Sequence, residues 1–174
     1  APIMEDLMEL GVQFVLLGTG EEEYNLLFQK IGQSYPRQAG IRIAFDNVLA
    51  HKIEAGADLF LMPSQYEPCG LNQIYSLRYG TIPVVRATGG LDDTIQDFNP
   101  LSEEGTGFKF IDYTPHCLLE AIKRALQVYR NRPVWEKIMV RAMAQDFSWG
   151  KSAREYVKLY EKILAKKKEA PAKP

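Results

Sequence analysis

The chain has 174 residues, of which 46% are hydrophobic and 25% are charged, and its formal net charge at pH 7 is −1. That length and apolar content suffice for one buried core, so we expect one globular domain over residues 1–165 and a solvated, lysine-rich tail over 166–174. A nearly neutral chain has no basic field for phosphate backbones, which excludes a typical nucleic-acid partner. No apolar run reaches the roughly 20 residues of a membrane span, so we expect no membrane partner either.

The two cysteines, Cys69 and Cys117, lie far apart and form no C-x-x-C pair. This spacing argues against a disulfide framework and against a structural zinc site. The two histidines, His51 and His116, also lack companions at metal-ligand spacing, so we expect no metal. A reducing compartment fits this cysteine usage, and the start of the chain has no secretion signal pattern. We therefore expect a cytoplasmic protein, or a plastid stromal one if the source is a plant.

Strand-like and helix-like patterns alternate along the chain. Residues 3–10 carry apolar side chains at helical spacing, which predicts an inter-strand helix and hence one or more preceding strands in a longer parent. Apolar, β-prone runs predict strands at 12–17, 41–45, 58–62, 83–86 and 107–110. Helical spacing predicts helices at 21–32, 47–53, 70–79, 115–129, 135–143 and 156–164, with a short helical turn at 92–93. Asp46 or Asn47 can cap the second of these helices, and Thr114 with Pro115 opens the fourth.

This alternation predicts an α/β fold, a Rossmann-like open parallel sheet with helices on both faces and right-handed crossovers. In such a sheet, ligands bind at the carboxyl ends of the strands. Three turns follow predicted strands, at 18–20, 63–71 and 88–91, and we expect them to converge on one crevice. The first, Gly18-Thr19-Gly20, resembles part of a dinucleotide-binding fingerprint but lacks the third glycine, so it is weak evidence alone.

The second turn has the chemistry of an anion site. Cys69, Gly70 and Leu71 stand where a helix is predicted to begin, and unpaired backbone N–H groups and the helix dipole favour a phosphate there. Glu67 precedes this point by two residues, so its carboxylate would lie near whatever group the phosphate carries. It should not touch the phosphate itself, because two anions repel each other.

Four longer segments of the sequence point to one particular protein family. The segment 63–73 reads PSQYEPCGLNQ, the segment 77–91 reads LRYGTIPVVRATGGL, and further stretches read LAHKI at 49–53 and AQDFSW at 144–149. Together they resemble the signature of bacterial glycogen synthases and plant starch synthases of glycosyltransferase family 5. That resemblance implies the carboxyl-terminal, donor-binding domain of a GT-B glycosyltransferase.

The resemblance also implies roles for individual residues. The residue matching Glu67 faces the donor sugar and is the expected catalytic residue. The residues expected to bind the nucleotide sugar comprise an aromatic for the base, the backbone of the diphosphate loop and a second loop: Phe45, Cys69, Gly70, Leu71, Asn72, Thr88, Gly89 and Gly90. Cys69 also stands where a helix start would lower a thiol pKa, but a contribution through its backbone N–H is the favoured interpretation.

The chain differs from the pattern of related transferases in two respects, and both bear on the expected mechanism. Many related transferases carry a second glutamate eight positions after the first, whereas this chain has Tyr75, as the synthases do, so a paired-carboxylate mechanism has no support. The family's Arg and Lys for the diphosphate, and its acceptor-binding domain, would precede residue 1 and are absent from these 174 residues. Arg86 is the remaining cation near the predicted crevice.

The implied reaction transfers glucose from ADP-glucose, or UDP-glucose, to the non-reducing end of an α-1,4-glucan with retention. No cofactor is expected, the glucan would bind through the missing amino-terminal domain, and the isolated chain should be inactive. Two alternatives remain open at this point: another GT-B enzyme that uses a different sugar nucleotide, and a non-catalytic interaction module of the same fold.

Overall fold

The structure is a computed structural model that describes residues 3–169. It divides the chain into two compact units, Ala1–Met143 and Ala144–Pro174. Helix continues through residues 166–169, and the rest of the predicted solvated tail, 170–174, lies outside the described residues. The domain boundary expected near residue 165 stays a prediction.

Strands and helices alternate in the first unit as the sequence indicates. The strands are β1 (Phe14–Gly18), β2 (Ala39–Ile43), β3 (Leu59–Met62), β4 (Ile82–Arg86) and β5 (Phe108–Phe110). The helices of this unit are α1 (Met4–Glu9), α2 (Glu22–Ser34), α3 (Asn47–Gly56), α4 (Asn72–Tyr79), α5 (Gly89–Thr94), α6 (Pro115–Tyr129) and α7 (Arg132–Met143). Helix α8 (Trp149–Glu169) lies in the second unit.

All of the ladders are parallel, which confirms the predicted fold class. The strands form two sheets, one with the order β1-β2 and one with the order β3-β4-β5. Within the described residues, β1 therefore pairs only with β2, and β3 only with β4. The entirely apolar β3, which reads LFLM, is only partly buried. Among the described residues, β1 and β3 thus each have one side whose backbone groups have no strand partner.

Two capping predictions are confirmed, and two helices begin at residues other than the predicted ones. The carboxylate of Asp46 accepts a hydrogen bond from the Leu49 N–H at 2.9 Å, and the Thr114 hydroxyl accepts one from the Cys117 N–H at 3.2 Å. Helix α4 begins at Asn72 rather than Gly70, because Gly70 has a φ of 72°, which is not helical. Helix α5 begins at Gly89, so Asp92 lies within it instead of starting it.

The core of the first unit surrounds β4. Ile82, Val84 and Val85 are completely buried, as expected for a strand with neighbours on both sides and helices packed against it. Trp135 on α7 stacks near Phe108 of β5, with ring centroids 6.4 Å apart. This burial holds the carboxyl end of β4 in place, and the third predicted turn follows that end.

A buried carboxyl group lies where the end of α3 meets the start of β4. The Thr81 hydroxyl lies 2.5 Å from the Glu54 carbonyl oxygen and 3.0 Å from that of Ala57, so it joins the end of the helix to the start of the strand. Glu54 is only 5% exposed, and its Oε2 atom has no hydrogen-bond partner. Burial raises the pKa of the Glu54 carboxyl, and the nearby His51 partly offsets that rise.

The second unit is α8 with the short segment before it. Hydrogen bonds from the Ser148 hydroxyl and from the Ser148 N–H, the latter at 2.9 Å, lower the pKa of the Asp146 carboxyl and hold the entry into the helix. None of the described helices is both long and apolar enough to cross a membrane.

The Glu54 carboxyl predicts a pH-dependent stability. Its pKa in the folded state lies above the unfolded value, so stability is present in full below the unfolded pKa, about 4.5, and falls as the pH rises through the folded pKa. Glu54→Gln removes the charge, so we expect it to raise the free energy of unfolding at pH 7 by roughly 1 kcal/mol and to leave it unchanged in acid. Chemical denaturation at several pH values measures this, with Glu136→Gln on the exposed face of α7 as the control. An equal effect of Glu54→Gln at all pH values would contradict the account.

Candidate donor-binding site

The segment between β3 and α4 forms the first wall of the candidate site. It leaves the sheet after Met62, carries Glu67 and Cys69, and turns into α4 through Gly70 and Leu71. Gly70 takes the left-handed φ of 72°, which a side chain would disfavour. The chain enters α4 through this left-handed residue, with the backbone of Cys69 and Leu71 on either side of it.

The loop after β4 forms the second wall. The Gly90 N–H donates a hydrogen bond to the Glu67 carbonyl oxygen at 2.9 Å. A Cβ atom built on Gly89 would lie less than 3.0 Å from that same oxygen, and one built on Gly90 less than 3.0 Å from the Cys69 carbonyl oxygen. The two loops approach this closely only because both positions are glycine.

Free backbone donors line the start of α4. The backbone N–H groups from Cys69 to Gln73 have no hydrogen-bond acceptor within the part of the chain that the structure describes. No side chain caps this end of the helix, and the N-cap position is Leu71. Unpaired N–H groups at a helix start carry partial positive charge, so this surface suits an anion.

Two side chains project from the first wall. The Glu67 carboxylate is half-buried and makes no hydrogen bond or ion pair with the described residues. The Cys69 thiol is exposed and free, and the contacts of this residue run through its backbone carbonyl. The same loop thus carries a carboxylate and a row of N–H donors, a combination that suits a hydroxyl-bearing group attached to a phosphate.

The guanidinium group of Arg86 is held by contacts within the protein. Its Nε donates to the Ile111 carbonyl oxygen at 3.1 Å, its Nη1 donates to the Gln65 carbonyl oxygen, and its guanidinium lies 5.4 Å from the centroid of the Tyr113 ring. It secures the loop that begins at Pro63.

The remaining predicted residues lie apart from the two joined loops. The turn 18–20 follows β1 in the other sheet, and no hydrogen bond links it to either loop. Phe45 follows β2 and is 91% exposed, so its ring is free to stack on a flat partner. His51 accepts or donates a hydrogen bond with the Tyr79 hydroxyl at 3.3 Å, and its ring centroid lies 5.4 Å from that of Tyr75. The structure thus joins two of the three turns.

Two residues of the site were not predicted from the sequence. Gln73 and Thr94 make side-chain hydrogen bonds to the loop segments that carry Cys69 and Gly90. Gln73 forms part of the quoted 63–73 segment, but nothing in its spacing distinguishes a buried amide from an exposed one on the first turn of a helix. Among the described residues, no group of three or more His, Cys, Asp or Glu side chains is placed to hold a metal ion.

Comparisons with known proteins agree with this geometry. Residues 3–138 match the family model described as glycosyl transferases group 1. A glycogen synthase from Koribacter versatilis is 54% identical over 158 residues, which cover 91% of this chain and 32% of that protein. A glycogen synthase from Fervidobacterium nodosum is 54% identical over 166 residues, covering 95% of this chain and 34% of that protein.

A solved structure shows the same likeness. The catalytic domain of starch synthase IV from Arabidopsis thaliana, bound to ADP and acarbose, superposes with a TM-score of 0.81 at 34% identity. The match covers 92% of this chain and 34% of that one. A glycosyltransferase from Rickettsia africae, at 16% identity and a TM-score of 0.66, shares the fold alone.

The chain therefore belongs to the glycosyl transferases group 1 family, and it has the α/β fold of the carboxyl-terminal, donor-binding domain of a GT-B glycosyltransferase. The resemblance to glycogen and starch synthases that the 63–91 segment predicts is confirmed. The chain spans about a third of the length of the curated relatives that it matches.

The contact between the loops predicts a strict requirement for glycine. Gly90→Ala places a methyl group against the Cys69 carbonyl, so we expect a loss of about 1–3 kcal/mol in the free energy of unfolding. The matched control is Gly56→Ala at the end of α3, where an added Cβ meets nothing within 4 Å. Urea denaturation of both variants measures the difference. Equal stabilities would show that the loops do not pack as described.

Proposed function

We propose that this chain is the donor half of a retaining glycosyltransferase that moves glucose from ADP-glucose to the non-reducing end of an α-1,4-glucan. The observation that carries the proposal is the row of free N–H groups from Cys69 to Gln73 beside the half-buried carboxylate of Glu67. The donors suit a diphosphate, and the carboxylate suits the hydroxyls of the attached sugar.

The roles of individual residues follow from that arrangement. The backbone of Cys69, Gly70, Leu71 and Asn72 would bind the diphosphate, whereas Glu67 would contact the sugar and not the phosphate, because two anions repel each other. The second loop, Thr88 to Gly90, would enclose the other side of the sugar nucleotide, and the exposed ring of Phe45 would stack on the base. No cofactor is part of the proposal.

Catalysis would rest on positioning and on stabilising the departing diphosphate. Backbone donors that already point at the site need no reorganisation when negative charge develops on the leaving group. The position at which many related transferases carry a second glutamate is Tyr75, whose ring centroid lies 5.4 Å from that of His51, so a paired-carboxylate mechanism is not part of the proposal.

The acceptor glucan and the missing cations would come from a longer parent protein. Support comes from the curated relatives, of which the chain spans about a third, and from the edges of β1 and β3, which have no strand partner among the described residues. We infer a cytoplasmic parent, since both cysteines are free thiols.

Nucleotide preference is testable on the chain itself. We expect ADP-glucose to raise the melting temperature more than UDP-glucose or UDP-N-acetylglucosamine, because bound ligand stabilises the folded state in proportion to its affinity. The affinity should be weak, roughly millimolar, because the diphosphate-neutralising Arg and Lys are absent. Thermal-shift titrations with the three ligands make the comparison. A larger shift with either UDP sugar would favour the alternative that a different sugar nucleotide is the donor.

A substitution at Glu67 tests whether the domain is catalytic or is a non-catalytic module of the same fold. In a full-length parent, Glu67→Gln should lower the rate of glucan synthesis on the order of 100-fold, whereas ADP affinity should stay within about twofold, because the carboxylate faces the sugar. Incorporation of labelled glucose into glycogen gives the rate, and calorimetry gives the ADP affinity. The exposed Glu104→Gln is the control. Unchanged synthesis by the Glu67 variant would refute the catalytic role of Glu67. Polymerisation by the purified 174-residue chain at an ordinary enzymatic rate would refute the proposal that this chain supplies only the donor half of the active site.

A further inference from the structure

The side chain of Gln73 is completely buried, although it stands on the first turn of α4, beside the candidate site. Burial of an amide is unfavourable unless its polar atoms are hydrogen-bonded. Its Nε2 atom lies 3.0 Å from the carbonyl oxygens of both Cys69 and Gly70, and 3.3 Å from the Thr94 hydroxyl oxygen. Since carbonyl oxygens can only accept, the nitrogen must be the atom that faces them.

These two hydrogen bonds act on the orientation of two peptide groups. In a trans peptide, the carbonyl of one residue and the N–H of the next point in opposite directions. Because Gln73 holds the Cys69 carbonyl inward, the N–H of Gly70 must point outward. The Gly70 carbonyl is held in the same way, so the N–H of Leu71 also points outward. The inward pull of one buried amide thus turns two donors toward the proposed diphosphate.

The same amide connects the two loops. The Thr94 hydroxyl donates to the Gly90 carbonyl oxygen at 2.5 Å and lies 3.3 Å from Gln73 Nε2, whose two hydrogens it shares with the Cys69 and Gly70 carbonyls. The Gly90 N–H donates to the Glu67 carbonyl oxygen at 2.9 Å. Both sides of Gly90 are therefore tied to the loop that carries Glu67 and Cys69, one directly and one through Thr94 and Gln73. A change at Gln73 should be felt in both loops.

The Oε1 atom of Gln73 is buried and has no hydrogen-bond partner. A Cβ atom on Gly70 would lie less than 3.0 Å from it, so a larger residue at position 70 would require the Gln73 side chain to shift. An unpartnered buried oxygen costs stability, which indicates that packing alone does not account for an amide at this position. Leucine or methionine would fill the same volume at lower cost.

We propose that Gln73 is a positioning residue of the donor site, which orients the N–H groups of Gly70 and Leu71 toward the diphosphate of a nucleoside diphosphate or its sugar ester. The inference rests on the proposed function, since it assigns a cause to the geometry of that same site. It places Gln73 behind the reacting groups, where it acts through the backbone and touches no substrate atom.

The test compares ADP, which has a diphosphate, with AMP, which lacks only the β-phosphate. Ligand-observed NMR titrations of the 174-residue chain with ADP and with AMP give two affinities, and their ratio reports the diphosphate contribution. Gln73→Leu should lower the ADP affinity about tenfold and the AMP affinity much less, because the lost orientation weakens hydrogen bonds to a charged group. The control Gln29→Leu, on the exposed face of α2, should leave both affinities unchanged. A purely structural role for Gln73 would lower both in parallel.

A second variant gives a signature that unfolding cannot imitate. In Gln73→Glu the ionised carboxylate repels the Cys69 and Gly70 carbonyls, whereas the protonated acid can donate one hydrogen bond. The ADP-to-AMP affinity ratio of this variant, divided by that of the unchanged chain at the same pH, should therefore recover between about pH 8 and about pH 5.5. If Gln73→Leu does not fold, this variant and Thr94→Val, for which a smaller loss of the ratio is expected, provide the measurement.

The outcomes separate the two levels of inference. If the unchanged chain binds neither ADP nor ADP-glucose, the proposed function fails. If it binds them but the ratio is the same in Gln73→Leu or, where that variant does not fold, in Gln73→Glu at pH 8, the positioning role is overturned and the proposed function stands.

Discussion

The candidate site depends on the close approach of two loops that follow neighbouring strands. Gly89 and Gly90 pass so near the carbonyl oxygens of Glu67 and Cys69 that neither position has room for a Cβ atom. One backbone hydrogen bond, from the Gly90 N–H to the Glu67 carbonyl, joins the loops at their centre. The remaining features of the site, from the exposed donors to the placement of the carboxylate, are possible only in this packed arrangement.

Electrostatics in this site come mainly from the backbone. Arg86, the one cation expected near the crevice, is used to hold the loop that begins at Pro63 and the strand end at Ile111. In the proposed function, the anion would be bound by the N–H groups at the start of α4, where the helix dipole contributes roughly half a positive charge. Such a site is selective in geometry but modest in strength, which agrees with a chain that spans only a third of its curated relatives.

Much of the fold was predictable because it follows from local patterns. All five strands lie within two residues of their predicted ranges, since apolar runs bounded by glycine and proline are strong short-range signals. The Asp46 and Thr114 caps were predictable for the same reason, because each side chain bonds to a backbone group three residues away. The start of α4 was placed two residues early, since the left-handed turn at Gly70 depends on contacts with Gln73 that local spacing does not reveal.

By itself, the sequence determined which groups are available: a helix start without a capping side chain, a glutamate two residues ahead of it, and a pair of glycines after the next strand. Only the tertiary structure decided which of these meet. It joined the turns 63–71 and 88–91, left the turn 18–20 in the other sheet, and placed the amide of Gln73 behind the loop. The contacts that join the two loops, Gly90 with Glu67 and Gln73 with Thr94, link residues more than twenty positions apart. They depend on the packing of β3 against β4, so no local pattern could specify them.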